Sequence, residues 1–150
     1  MEAEMLMSLE IVTVPPELSL EAAHRIMLER GLRHLPVVAG QRLAGILSDR
    51  DLLLSIGRGE GGTFVYPKQS VGELMSLSPV SAGPSASVGE LAKAMLDAKI
   101  DAIPILTSRD VLVGLVTSTD MMKVLALLPR EPHPRIAYQI RRAADLQARA

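Results

Sequence analysis

Apolar positions follow two alternating rhythms along the chain. Leu20, Ala23 and Met27 fall on one helical stripe, which Ser19 can cap at its start and Gly31 at its end. Two short apolar runs follow, Leu35 to Val38 and Leu43 to Leu47, and the small, polar stretch Ala39 to Arg42 between them predicts a hairpin. A second helix is expected to open at Asp49. The same succession then returns: Ser87 as cap, Val88, Leu91, Ala92 and Met95 as stripe, Ile103 to Leu106 and Leu112 to Val116 as strands, and a helix from Ser118.

The recurrence extends to identities, at an offset of about 68 residues. Leu6, Met7, Ser8 and Leu9 return as Leu74, Met75, Ser76 and Leu77. Val12, Pro16, Ser19, Met27, Leu28 and Pro36 return as Val80, Pro84, Ser87, Met95, Leu96 and Pro104. The offset then grows by one, so that Leu43, Gly45 and Asp51 match Leu112, Gly114 and Asp120. The extra residue lies among Thr107 to Asp110, in the second hairpin turn, where loops tolerate insertion.

Each unit therefore reads as strand, helix, strand, strand, helix, with a leading segment at Ile11 to Val14 or Val80 to Ala82. Units of roughly 50 residues bury little alone, so the expected fold is α+β or α/β, two β-α-β-β-α repeats packed through their sheets. The predicted organisation is a first repeat at 1–55, a flexible Gly-rich linker at 56–70, a second repeat at 71–128, and a Pro-rich segment with a terminal helix at 129–150. Ile136, Ile140 and Ala144 would line one face of that helix.

Composition narrows the function. Sixteen Lys and Arg against 17 Asp and Glu leave a formal net charge of −1, so nothing steers the whole molecule to nucleic acid or an anionic membrane. Aromatic content of 2% leaves little for base stacking. The absence of cysteine removes disulfides, thiolate metal sites and a cysteine nucleophile, and fits a reducing, cytoplasmic setting. The amino terminus, with Glu2 and Glu4, reads as no signal peptide, and no apolar run is long enough to span a bilayer. His24 and His133 have no partner at metal-ligand spacing, so no metal site is expected. Met7, Met27, Met75 and Met95 read as core. No Gly-x-Ser-x-Gly elbow or other catalytic constellation is present, and no enzyme activity is expected.

The strings His34-Leu35-Pro36-Val37-Val38 and Gly45-Ile46-Leu47-Ser48-Asp49-Arg50-Asp51 resemble CBS domains, the family named after cystathionine beta-synthase. The second copy supplies Ala102-Ile103-Pro104-Ile105-Leu106 and Gly114-Leu115-Val116-Thr117-Ser118-Thr119-Asp120. The resemblance runs from about Leu6 to Leu125. It implies a tandem pseudo-twofold pair, a Bateman module, whose two clefts bind AMP, ADP, ATP or another adenosyl ligand with no cofactor required. By position, Ser48, Asp51, Thr117 and Asp120 would take the ribose and phosphate, with Arg50 and Thr119 inside the same motif. Adenine would lie near Leu35-Pro36 and Ile103-Pro104. His34, Ala102, Thr13 and Ser81 complete the expected ligand-binding set.

The chemistry of these side chains fits that role. A carboxylate accepts two hydrogen bonds from vicinal ribose hydroxyls, and free N–H groups at a helix start favour a phosphate. Arg33, Arg50 and Lys99 could neutralise phosphate charge. The same Ser48-x-x-Asp51 and Thr117-x-x-Asp120 spacings also spell a helix capping box, which would persist in a module that binds nothing. Two functions thus stand at this point: a ligand-sensing regulatory module, homodimeric and acting on a protein on another chain, or a structural interaction module with empty clefts.

Overall fold

The computed structural model describes residues 1–127. The terminal segment and helix expected at 129–150 lie outside the described residues. Helix α1 (Leu20–Arg30) starts where the Ser19 hydroxyl accepts the Ala22 N–H, and it ends at Gly31 in the left-handed conformation, φ 63°. Strands β1 (His34–Ala39) and β2 (Arg42–Ser48) form an antiparallel hairpin, and α2 (Asp49–Ser55) follows directly. In the second copy α4 (Val88–Ala98), β6 (Ala102–Leu106), β7 (Leu112–Thr117) and α5 (Ser118–Leu127) repeat this order. Both hairpins carry a bulge at the same place, Val37/Val38 and Ile105/Leu106. The leading segments add parallel bridges, Val14 to Val37 and Ala82 to Ile105. The extra residue of the second turn accompanies Asp110 at φ 60°.

Each repeat has its own apolar core. Leu20, Ala23, Met27, Leu35, Val37, Leu47 and Leu52 fill the first; Leu91, Met95, Ile103, Ile105 and Val116 fill the second. These are the predicted stripes and strand faces, buried because alternate strand residues face the helices. No described helix is long and apolar enough to cross a membrane.

The opening residues of each copy cross to the other. Ala3, fully buried, belongs to the second core, and Ser8 pairs with Leu115. Val71, in the short helix α3 (Val71–Leu74), belongs to the first core, and strand β5 (Ser76–Leu77) pairs with β2. The glycines of the two matched motifs make this crossing fit. A Cβ at Gly45 would lie 2.6 Å from both Met75 Sδ and the Ser76 carbonyl oxygen, and one at Gly114 would collide with Met7. Met7 and Met75 thus pack as expected, each over a glycine of the opposite repeat.

The stretch expected to be a flexible linker contains a small antiparallel hairpin, β3 (Gly57–Arg58) with β4 (Phe64–Val65). Side chains distant in sequence hold it. His24, buried in α1, has its Nδ1 2.7 Å from the Tyr66 hydroxyl, and its ring meets Phe64 edge-on with centroids 5.4 Å apart. Of the glycines that suggested flexibility, Gly57 lies in β3, and Gly61 and Gly62 sit in the turn with φ of 70° and 79°.

Candidate functional site: paired clefts between the repeats

Both motifs lie where a strand runs into a helix, at the junction of the repeats. The Ser48 hydroxyl accepts the Asp51 N–H at 3.1 Å and donates to Asp51 Oδ2 at 2.7 Å. In the second copy the Thr117 hydroxyl and N–H both donate to Asp120 Oδ2, at 2.7 and 2.9 Å, and the hydroxyl accepts the Asp120 N–H at 3.4 Å. The capping arrangement spelled by the sequence is therefore present. It also leaves fewer free donors at the helix starts than expected. The Asp49 N–H is bound to the Arg33 carbonyl at 2.8 Å and the Ser118 N–H to the Asp101 carbonyl at 2.9 Å.

Two clefts open beside these helix starts. One, of about 240 Å³, is lined by Ser48, Arg50, Asp51 and Ile46 from the first repeat, and by Lys99 and Ala102 from the second. The other, of about 310 Å³, is lined by Leu115, Thr117, Thr119 and Asp120 from the second repeat and by Gly31 and Leu32 from the first. Their walls correspond under the repeat: Ser76 in one matches Ser8 in the other, and Lys99 matches Gly31. His34, Arg33 and Asp101 line both.

Of the residues expected to bind ligand, Ser48, Arg50, Asp51, His34 and Ala102 meet in the first cleft, and Thr117, Thr119, Asp120 and His34 in the second. Leu35, Pro36, Ile103 and Pro104 line neither, because their side chains are fully buried within the repeats. The expected adenine bed is thus core, and the apolar cleft walls come instead from Ile46, Ile100, Leu32 and Leu115. Ser81 borders a separate depression beside α4, and Thr13 is exposed outside both clefts.

Charge divides the clefts. Arg33 lies 3.4 Å from Asp49 of its own repeat and 3.8 Å from Asp101 of the other, solvent-screened pairings that contribute little stability. Asp120 is buried, and Lys123 Nζ sits 2.9 Å from its Oδ1. Burial acts to raise the Asp120 carboxyl, but the Thr117 hydroxyl, the Lys123 ammonium and the Thr117 amide outweigh it and hold the pKa below the ordinary value. Burial holds the His34 imidazole below the ordinary histidine pKa, only partly offset by Asp49. Lys123, Asp49, Asp101 and Glu10 were not marked as site residues by the motif. Asp101 is legible only through the repeat, as the partner position of Arg33, and Lys123 through its spacing of three from Asp120.

The profile of the family described as "CBS domain" matches residues 3–58 and 71–127. The chain is 34% identical over 132 residues to an inosine-5'-monophosphate dehydrogenase of Korarchaeum cryptofilum, covering 88% of this chain and 25% of that protein. It thus spans about a quarter of that relative's length. It is 30% identical over 116 residues to the CBS domain-containing protein YhcV of Bacillus subtilis, covering 77% of this chain and 79% of that protein. Its fold matches the cytosolic domain of the Mg2+ channel MgtE, solved in complex with ATP, with a TM-score of 0.67 and 28% identity. That match covers 82% of this chain and 48% of the other. The duplicated strand-helix units, the crossed opening segments and the family match agree: the chain belongs to the CBS domain family, as a tandem pair.

Proposed function

We propose that this pair is a regulatory module that binds an adenine nucleotide or another adenosyl ligand between its repeats, performs no chemistry, and signals to a protein on another chain. The observation that carries the reading is the recurrence, in both clefts, of a carboxylate beside a hydroxyl at a helix start, Asp51 with Ser48 and Asp120 with Thr117. Such a carboxylate can accept ribose hydroxyls, and a ligand touching both repeats biases their relative orientation. The similarity to the ATP-bound cytosolic domain of MgtE supports the class of ligand. Exposed Leu53 and Leu54 on α2 and Met122 and Leu125 on α5 support self-association as a homodimer.

A thermal-shift series with AMP, ADP, ATP and S-adenosylmethionine, followed by calorimetry on Asp51→Ala and Asp120→Ala, tests it. Ligand at about a hundredfold over Kd should stabilise the fold by about 2.7 kcal/mol, several degrees in Tm. No shift with any of the four would sink the proposal. That result would favour the structural alternative, since the capping bonds already give Ser48, Asp51, Thr117 and Asp120 a complete role.

A further inference from the structure

The two clefts share Arg33, His34 and Asp101, so any difference in what they accept comes from the residues they do not share. The Asp51 cleft adds two cations, Arg50 and Lys99, neither of which makes an ion pair among the described residues, and one acid, Asp49, which is held 3.4 Å from Arg33. At the matching positions the Asp120 cleft has Thr119 and Gly31. It adds instead Glu10, an acid without an ion pair among the described residues, and Lys123, whose ammonium is committed to Asp120. Leu54, the counterpart of Lys123, is exposed, and among the described residues no ammonium pairs with Asp51.

A second observation points the same way. Helix α1 ends on Gly31 at φ 63°, where glycine is free of strain, but α4 ends on Lys99 at φ 55° and ψ 45°. A side chain with a Cβ is disfavoured there, and such backbone strain concentrates at functional positions. The strained position places an ammonium-bearing side chain at the wall of the Asp51 cleft and nowhere else in the repeat.

We infer, building on the nucleotide-binding reading above, that the clefts are not equivalent: the Asp51 cleft is the polyphosphate site, with Arg50 and Lys99 as its specificity-determining residues. The Asp120 cleft disfavours a phosphate chain, because Glu10 repels it and Lys123 is already neutralised. An adenosyl ligand with a neutral or cationic tail suits that second cleft.

Calorimetry with ATP and with adenosine on the full chain tests the assignment, using the double variant Arg50→Thr, Lys99→Gly, which installs the residues the other repeat already carries. Losing two charge-assisted contacts should weaken ATP about tenfold or more while adenosine changes less than about threefold. Asp51→Ala should weaken ATP more than Asp120→Ala. The converse graft, Gly31→Lys with Thr119→Arg, Lys123→Leu and Glu10→Ser, should add a second ATP site per chain. Equal loss of ATP and adenosine in the double variant, or ATP binding that depends on Asp120 and not Asp51, overturns the inference and leaves the nucleotide reading standing. No binding of either compound to the unaltered chain overturns both.

Discussion

Lys123 Nζ lies 2.9 Å from Asp120 Oδ1, and the position that matches Lys123 in the first repeat is Leu54, with its side chain turned to solvent. Two motifs of the same design therefore differ in the cation paired with their carboxylates among the described residues.

Replacing Lys123 with Leu should raise the Asp120 pKa. Because the folded-state pKa is depressed, the stability that Asp120 contributes is present above the ordinary carboxylate pKa and is lost as pH falls through the folded value. With Lys123 largely exposed, the substitution should cost about 1 kcal/mol or less at pH 7, vanishing as Asp120 protonates. Urea unfolding at several pH values and a carboxyl NMR titration check this; an unmoved Asp120 titration would refute it.

Lys99→Gly should separate stability from binding. Removing the Cβ from a left-handed position, φ 55°, should stabilise the fold by about 1 kcal/mol. The same change should weaken ATP, if Lys99 meets the phosphates. A variant that is both more stable and equally tight for ATP would separate the strain from the site.

The glycines of the motifs should respond unequally to alanine. At Gly45 the added Cβ meets the Ser76 carbonyl oxygen at 2.6 Å, a backbone atom that cannot step aside, whereas at Gly114 its three nearest neighbours are the Sδ, Cγ and Cβ of Met7, of which only the Cβ, at 2.9 Å, is fixed to the backbone. Gly45→Ala should destabilise by about 1–3 kcal/mol and Gly114→Ala by less. Met7→Ala should recover most of the loss in Gly114→Ala, leaving only the close Cβ–Cβ contact, and Met75→Ala should recover less of the loss in Gly45→Ala, as read from urea midpoints.

Tyr66→Phe should loosen the hairpin on α1. It deletes the hydroxyl 2.7 Å from His24 Nδ1 and leaves a buried ring nitrogen without its partner, which costs about 1–3 kcal/mol. Hydrogen exchange should increase at Phe64 and Val65 before it does in β1. Uniform change across the chain would show that the hairpin is not a separate unit.

Much of the fold is written in local sequence. Helical stripes, caps and strand alternation depend on spacing within a few residues, so Ser19, Ser87, Leu91 and Val37 take the places their neighbours dictate. Repetition then doubles each signal, and the motif serines, threonine and acids are found at the clefts for the same reason. What the spacing could not assign is which side of a strand faces a cleft once two repeats are packed. Leu35, Pro36, Ile103 and Pro104 stand beside the motifs in both copies, yet packing turns them into the interior.

The sequence by itself determined the two repeats, their elements and the paired Ser48/Asp51 and Thr117/Asp120 positions, because each follows from short-range periodicity repeated twice. Only the tertiary structure decided that the opening segments exchange between repeats, that His24, Phe64 and Tyr66 order the Gly-rich hairpin, and that Lys123 occupies Asp120 while among the described residues Asp51 has no such cation. Side chains distant in sequence meet only when the whole chain is packed, and the charge of a cleft is the sum over every element that borders it.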